Sequence, residues 1–347
     1  MLNRAGPSVN ASDKMKRAMK EAVYRLLQAD VIVGSKLRSL KAAKALTILN
    51  LHRVGNADAG GYAPMDAELF DELLGWLDRR FDLIVHADLE TTRKNGKPQL
   101  MLSFDDGYKD FIEVAVPLLE KRRIRVNHNI VPGCVESGRP PMNVELQDFI
   151  ASAPAALLRE TPLPGMPQGA DPDRRERSCL IASKALKAKP IAEQKQIFAR
   201  LESQAFSRFD GFRPTPMMSL GDIRQLAAIH EFGAHSFEHA SMDAESDAYL
   251  QEDARRCTQY FESNLGFAPR VYAFPNGGAR EEQAKLVAEA GYRHVLLVGE
   301  DYSHGGAWLH PRFTVHAKSR AEGHARALGW FRRRGDRYVS SALSRVN

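Results

Sequence analysis

Two short clusters in this 347-residue chain hold side chains whose types and spacing could do chemistry together. The first is Ser103-Phe104-Asp105-Asp106-Gly107-Tyr108, two adjacent carboxylates at the end of the apolar run Leu100 to Phe104, with a glycine that permits a tight turn behind them. Neighbouring carboxylates repel, so a site that holds both usually holds a cation or a proton as well. The second is His235-Ser236-Phe237-Glu238-His239, preceded by Phe232-Gly233-Ala234. A spacing of four predicts both imidazoles on one face of a helical turn, within reach of a single metal ion. Taken singly, the first cluster also reads as a turn with a helix cap, and the second as a chance pair among 11 histidines. Taken together they supply one carboxylate and two imidazoles. Three protein ligands leave a position open for water, as catalytic metal sites do. The other carboxylate is then free to act as a base.

The elements around these clusters read as alternating strands and helices. Ala45 to Leu51 is an apolar run ending at His52, and a helix with Leu69, Leu73, Leu74 and Leu77 on one face follows over 66–80. The strand Leu100 to Phe104 runs into Asp105. A helix broken by Pro117 covers 110–121, and Val126 to Val131 is the next strand. Residues 134–218, with two predicted helices and a Pro/Gly stretch from Thr161 to Pro172, interrupt the rhythm as an insertion. It resumes with a helix over 220–230 and a short strand to Ala234. A helix over 246–264 stopped by Gly266 follows, then strands Val271 to Phe274 and Val295 to Val298 on either side of a helix over 280–290. Such alternation predicts parallel βα units, which place both clusters at the C-terminal ends of strands, where barrels keep their active sites.

With these residues in place, a family resemblance becomes specific. Ser-Phe-Asp-Asp-Gly resembles the first motif of the polysaccharide deacetylase (NodB-homology) family, usually written Thr-Phe-Asp-Asp-Gly. His-Ser-x-x-His matches the second motif, and Tyr272-Ala273-Phe274-Pro275-Asn276-Gly277 resembles the third, over roughly residues 45–315. The resemblance implies an α/β fold, a distorted (β/α) barrel of about seven strands with a helical insertion. It implies a metal-dependent N-deacetylase that hydrolyses the acetamide of an N-acetylated amino sugar, in a polysaccharide or in its lipid- or nucleotide-linked precursor. Carried over residue by residue, Asp105 is the general base, and Asp106, His235 and His239 hold a divalent metal, zinc above all. Metal and a backbone N–H such as that of Tyr108 stabilise the oxyanion. Many members orient the base with an arginine of the third motif. Ala273 stands there in this chain, which leaves the task to Arg270 or a basic group from elsewhere. The family's general acid is a histidine after an apolar strand, and in circularly rearranged members that strand precedes the Asp-Asp motif. His52, after Ile48-Leu49-Asn50-Leu51, fits that description; His310 and His316, around Pro311-Arg312-Phe313, are rivals. Two other readings stay open: a small-amide hydrolase or deformylase on the same scaffold, and a catalytically inactive sugar-binding relative.

Charge is unevenly distributed. Residues 1–44 hold ten Lys or Arg against three acids and residues 318–347 hold eight against two, which leaves the middle at −7 in a chain of net charge +6. The expected organisation is a basic N-terminal helical extension (1–44), a barrel over 45–317 with 134–218 inserted, and a basic C-terminal tail (318–347). Basic ends suit an anionic carrier or membrane surface. No aromatic-interleaved basic stripe points to nucleic acid. A helix over 13–28, capped by Ser12 or Asp13, carries Met15, Met19, Val23 and Leu26 at helical spacing. It is expected to pack that face on its own domain, with the membrane surface as the other option. No apolar run approaches the ~20 residues of a membrane span, and no secretory leader is visible, so a cytoplasmic enzyme, free or peripheral to a membrane, is expected. Cys134, Cys179 and Cys257 are too few and too scattered for a disulfide framework.

Overall fold

The computed structural model describes residues 11–55, 61–89 and 96–332. Its strands are β1 (Ala45–Leu51), β2 (Val54–Gly55), β3 (Met65–Asp66), β4 (Asp82–Leu83), β5 (Gln99–Asp106), β6 (Asn127–Ile130), β7 (Glu231–Ala234), β8 (Val271–Ala273), β9 (His294–Val298), β10 (Ser303–His304) and β11 (Leu309–Thr314). Seven of them form a closed, wholly parallel barrel in the order β1-β11-β9-β8-β7-β6-β5, with β5 returning to β1. The distorted (β/α) barrel is therefore present. β4 adds to the start of β5, and β10 runs antiparallel on the start of β1.

The physical reason is visible in the strands. β1, Ala-Leu-Thr-Ile-Leu-Asn-Leu, is buried along its whole length, as parallel strands covered on both faces are. Its pleat sends alternate residues to different places. Leu46 and Ile48 meet Met101 of β5 and Ile84 in one apolar cluster, while Leu49 and Leu51 join Leu100, Leu102 and Phe104 in the large cluster shared with the outer helices. The helix Ala67–Arg80 buries Phe70, Leu73, Leu74 and Leu77 and starts where Asp66 accepts the backbone N–H of Leu69 at 3.0 Å. The helix Asp247–Leu265 is capped by Ser246 and stopped by Gly266 at φ +79°.

Between β6 and β7 the chain is richer than expected. In place of two helices it forms Pro132–Ser137, Met142–Ser152, Ala155–Glu160, Arg175–Lys187 and Ile191–Gln204, the last four packed around Leu146, Phe149, Ile150, Leu158, Leu186, Phe198 and Leu201. Cys134, Cys179 and Cys257 are buried free thiols.

The two ends meet. The helix Ala11–Leu26 lies against the helix Arg320–Ala327, inside the stretch expected to be a basic tail. The contact is made by Tyr24 with Ala321 and Ala325. Ser319 Oγ donates to Glu21 Oε2 at 2.9 Å, and Gln28 Oε1 pairs with His324 Nδ1 at 3.1 Å. This corrects the expectation that the apolar face packs inward. Glu21, Tyr24 and Gln28 recur at i, i+3 and i+7 on the packed side, so Met15, Met19, Val23 and Leu26 face away and are exposed. Residues 1–10 and 333–347, the outer parts of the two basic ends, lie outside the described residues, as do the side chains of Ser12 and Asp13.

Candidate active site

All seven barrel strands run the same way, so their C-terminal ends share one mouth. β5 delivers Asp105 and Asp106 there, both buried. β7 ends at Ala234, and His235 follows directly, its backbone N–H donating to Ile130 of β6 at 2.8 Å. The histidine pair is not on a helix, which corrects the sequence expectation. Residues 235–240 form an irregular loop in which Ser236 and His239 both adopt positive φ, +59° and +58°. Such backbone costs a non-glycine residue roughly 1–2 kcal/mol and must be held by its surroundings. Asp253, buried on the helix Asp247–Leu265, holds it. One carboxylate oxygen accepts Ser236 Oγ at 2.8 Å and the Phe237 N–H at 2.9 Å, and the other accepts the Tyr272 hydroxyl at 2.8 Å. Ser236 Oγ in turn accepts the Ala240 N–H at 3.1 Å. Asp106 (φ +78°) and Asn276 (φ +59°) are also left-handed, so the non-glycine outliers concentrate at this mouth.

The result is a three-donor cluster. One ligand atom each from Asp106, His235 and His239 lies within 4.8 Å of the others, and among the described residues no other such group occurs. Asp106 Oδ1 is 3.3 Å from Nε2 of both histidines and yet has no well-formed hydrogen bond although it is buried. His235 Nδ1 donates to the Ala273 carbonyl at 2.8 Å, which turns Nε2 toward Asp106. A backbone carbonyl behind the imidazole is how metal-binding histidines are usually oriented. Burial pushes the Asp106 carboxyl up, but His239, with hydrogen bonding from both imidazoles, outweighs it and keeps it ionised. These residues fit a divalent cation: convergent buried donors of the right type, with an orphaned carboxylate oxygen among them.

Asp105 is held differently. Arg312 of β11, fully buried inside the barrel, donates from Nη1 to Oδ1 at 2.8 Å and brings Nη2 to 2.8 Å from Oδ2 as an ion pair, and Asn129 of β6 donates to Oδ1 at 2.8 Å. The guanidinium charge and the two hydrogen bonds to Oδ1 hold the carboxylate in place. Burial raises the Asp105 pKa, but the Arg312 charge and then His235 reverse it, so the carboxyl lies well below its usual range and is available to accept a proton. The neighbouring Gly233 is required here, because a Cβ would come within 2.4 Å of Asn129 Oδ1. Arg270, named from sequence as one source of this guanidinium, is exposed at the start of β8, at the far end of the barrel.

The three candidate acids separate by position. His52, one residue past β1, lines the same pocket of about 220 Å³ as Asp105, Asp106, His235 and His239. It is fixed from both sides: its ring packs edge-on against Tyr62, and its neighbour Arg53 bonds Asp110 at 2.7 Å and the Tyr62 carbonyl at 2.7 Å. His316 lies on the other side of Tyr62 and is exposed. His310 is buried deeper in the barrel, bonded to His294 at 3.0 Å and Ser303 at 2.7 Å. Burial lowers His52 to about 4 against the upward pull of Asp106 and Asp105, so in this structure the ring is neutral at neutral pH.

The family described as polysaccharide deacetylase matches residues 221–295, which run from the helix before β7 through both site histidines to β9. Over that stretch the chain resembles the polysaccharide deacetylases. A search of curated proteins finds no match. Among solved structures, deacetylase PplD of Streptococcus pyogenes aligns with a TM-score of 0.54 at 15% identity, over 82% of this chain and 98% of that one. IcaB from Ammonifex degensii aligns at 0.52 and 17%, over 82% and 97%. At such identities the likeness is one of fold, the polysaccharide deacetylase barrel.

Within this barrel, sequence reasoning missed Arg312, Asn129, Asp253 and a wall of the pocket supplied by the insertion, with Asn143 and Gln147 from one helix and Lys187 from another. Arg312 left a signal: in Leu309–Thr314, alternate residues His310, Arg312 and Thr314 are polar in an otherwise apolar strand, and a charge at such a position points into the barrel.

Proposed function

We propose that the protein is a metal-dependent N-deacetylase of acetamido sugars, with Asp105 as general base, His52 as general acid and Asp106, His235 and His239 as ligands of a divalent metal, zinc by the chemistry of two imidazoles and a carboxylate. The observation that carries the reading is the pairing of the orphaned three-donor cluster with an adjacent carboxylate clamped by Arg312, in one pocket. An ion bound there supplies Lewis acidity that polarises the acetamide carbonyl and makes water easier to deprotonate. Asp105, ionised and immobile, accepts the water's proton. A backbone N–H such as that of Tyr108 faces the developing oxyanion. His52 hands a proton to the departing nitrogen; the negative charge that accumulates in front of it adds to the pull of Asp105 and Asp106 and raises its proton affinity during the reaction. The products are acetate and a free amine.

The pocket is smaller than the ~300–1,000 Å³ of sites that enclose drug-sized ligands, which suits one sugar residue with its acetamide. Lys187 brings a cation to its rim, and this supports a substrate that carries a phosphate, hence a lipid- or nucleotide-linked precursor. The inactive-relative reading loses its main support, since Arg312 supplies the guanidinium that the third motif lacks. A small-amide hydrolase remains the competing enzyme.

The decisive experiment is acetate release from acetamido sugars, free and pyrophosphate-linked, alongside metal content. About one divalent ion per chain and acetate release are expected, both lost in a His235→Ala, His239→Ala variant. Full metal occupancy in that variant would refute the ligand set. Turnover of formamides alone would refute the sugar assignment.

A further inference from the structure

We propose that the outward face of the helix Ala11–Leu26 is a docking surface for anionic lipid bilayers. Met15, Met19, Val23 and Leu26 are 63%, 66%, 54% and 67% exposed, and Val31, just beyond, is 82% exposed. Spaced at i, i+4, i+8 and i+11, the four form one continuous stripe along the helix. The helix has no need of this stripe for its own attachment. Its opposite side holds it to the body through Tyr24, Glu21 and Gln28. An apolar row of this length that faces away from the core marks an interaction surface.

Charge selects the occupant. Lys20 and Arg25 flank the stripe on either side, about 110° from its centre by the helical repeat, and both are exposed. The helix packs on Arg320–Ala327, and Lys20 and Lys318 line one cavity beside it, in a chain whose middle, residues 45–317, is −7. An apolar face flanked by cations is the pattern of helices that lie in the plane of a membrane, with cations meeting anionic headgroups. A second copy of the chain would bring the same positive charge to the stripe and be repelled. The position is also suited to a lipid-borne substrate. Between this helix and the barrel lies a cavity of about 580 Å³ lined by Lys20, Tyr24, Lys318 and His316, and His316 packs on Tyr62 at the rim of the catalytic pocket.

The test is co-sedimentation of the full chain with vesicles of phosphatidylcholine and phosphatidylglycerol, with pure phosphatidylcholine as the control. The wild type should bind the mixed vesicles, release in high salt, and bind the neutral ones weakly. Met19→Glu with Leu26→Glu should lower the bound fraction about tenfold and leave thermal unfolding unchanged, because both side chains already face solvent. Binding by that variant equal to wild type, or no binding by wild type, overturns the proposal. So does a wild-type dimer that the variant dissolves, which would give the face to a second copy. A variant of lowered thermal stability also overturns it, because residues 1–10 or 333–347 of the same chain would then cover the stripe. None of these readouts involves turnover, so the proposal stands or falls apart from the deacetylase reading.

Discussion

At the scale of single residues, the division of labour between Asp105 and Asp106 rests on what each carboxylate touches. Asp106 turns Oδ1 to two imidazole nitrogens at 3.3 Å without a well-formed hydrogen bond, while Asp105 is gripped by a guanidinium and an amide. Asp105→Asn should therefore retain its metal and lose turnover by roughly 10²–10⁴-fold, since an amide cannot take the water's proton; kcat beside metal analysis checks it. Arg312 should set the acidic limb of the pH profile. Its charge is what holds the Asp105 pKa down against burial, so in Arg312→Lys, where one ammonium replaces a two-pronged fork, that pKa should rise. A base is active only when ionised, so the acidic limb of kcat/KM should move to higher pH. A limb that stays in place would exclude Asp105 as its source. His52→Ala should cost roughly 10²–10⁴-fold on an amide and distinctly less on an aryl ester, whose leaving group needs no proton. Equal losses on the two substrates would reduce His52 to a packing residue.

At the scale of elements, the loop over 235–240 is anchored by Phe237 and Ala240 in the core, while its polar backbone and Ser236 depend on a helix that starts seven residues after it. Asp253→Ala removes three hydrogen bonds to that loop and to β8 in one step. Metal affinity should fall by about 10–100-fold, the usual range for loss of a group that orients ligands, with helix content unchanged by circular dichroism. Asp253→Asn, which keeps one acceptor oxygen, should recover part of it. Metal affinity unmoved by either change would show that the histidines hold themselves. This loop also marks where the sequence stops being legible. The apolar strand running into Asp105 and Asp106, and the histidine pair after Gly233, could be read directly, because a strand end and a spacing are local. The conformation between the histidines could not: a four-residue spacing fits a helical turn as well as a loop with two left-handed residues, and Asp253 decides between them from 17 residues away. The N-terminal helix shows the same limit. Periodicity tells that one face is apolar and leaves open what covers it, and the contacts of Tyr24, Glu21 and Gln28 decided that. The alternation of β11 points Arg312 into the barrel, but its partner was out of reach, since the pairing with Asp105 exists only once the barrel has closed.

At the scale of the whole molecule, the barrel carries imidazoles that must stay neutral. Burial lowers His294 to about 4, His128 to about 3 and His310 to about 2. His294 and His310 are bonded to each other inside the barrel, and His128 lies among Phe104, Phe111 and Phe232 outside it. In the unfolded chain these rings titrate near ~6.5. Below that pH the unfolded chain binds protons that the native one refuses, so stability is complete above pH ~6.5 and is lost as pH falls through the folded values. Urea midpoints should begin to drop between pH ~6.5 and about 4, before the carboxylates of Asp105 and Asp106 can be protonated. A flat profile over that range would contradict neutral burial of these rings.

The Arg312–Asp105 pair has one more consequence, which concerns time. Its partners are 207 residues apart in the chain, and β1, made before either, separates β5 from β11 in the sheet. While the protein is being synthesised, Asp105, Asp106 and both site histidines all emerge before the strand that carries Arg312. Until that last strand enters between β1 and β9, the barrel is open and Asp105 has no guanidinium beside it. Contacts this distant in sequence form late. A ribosome-bound chain therefore holds the candidate metal ligands before Asp105 has its guanidinium, and the pocket is completed only once β11 has been made.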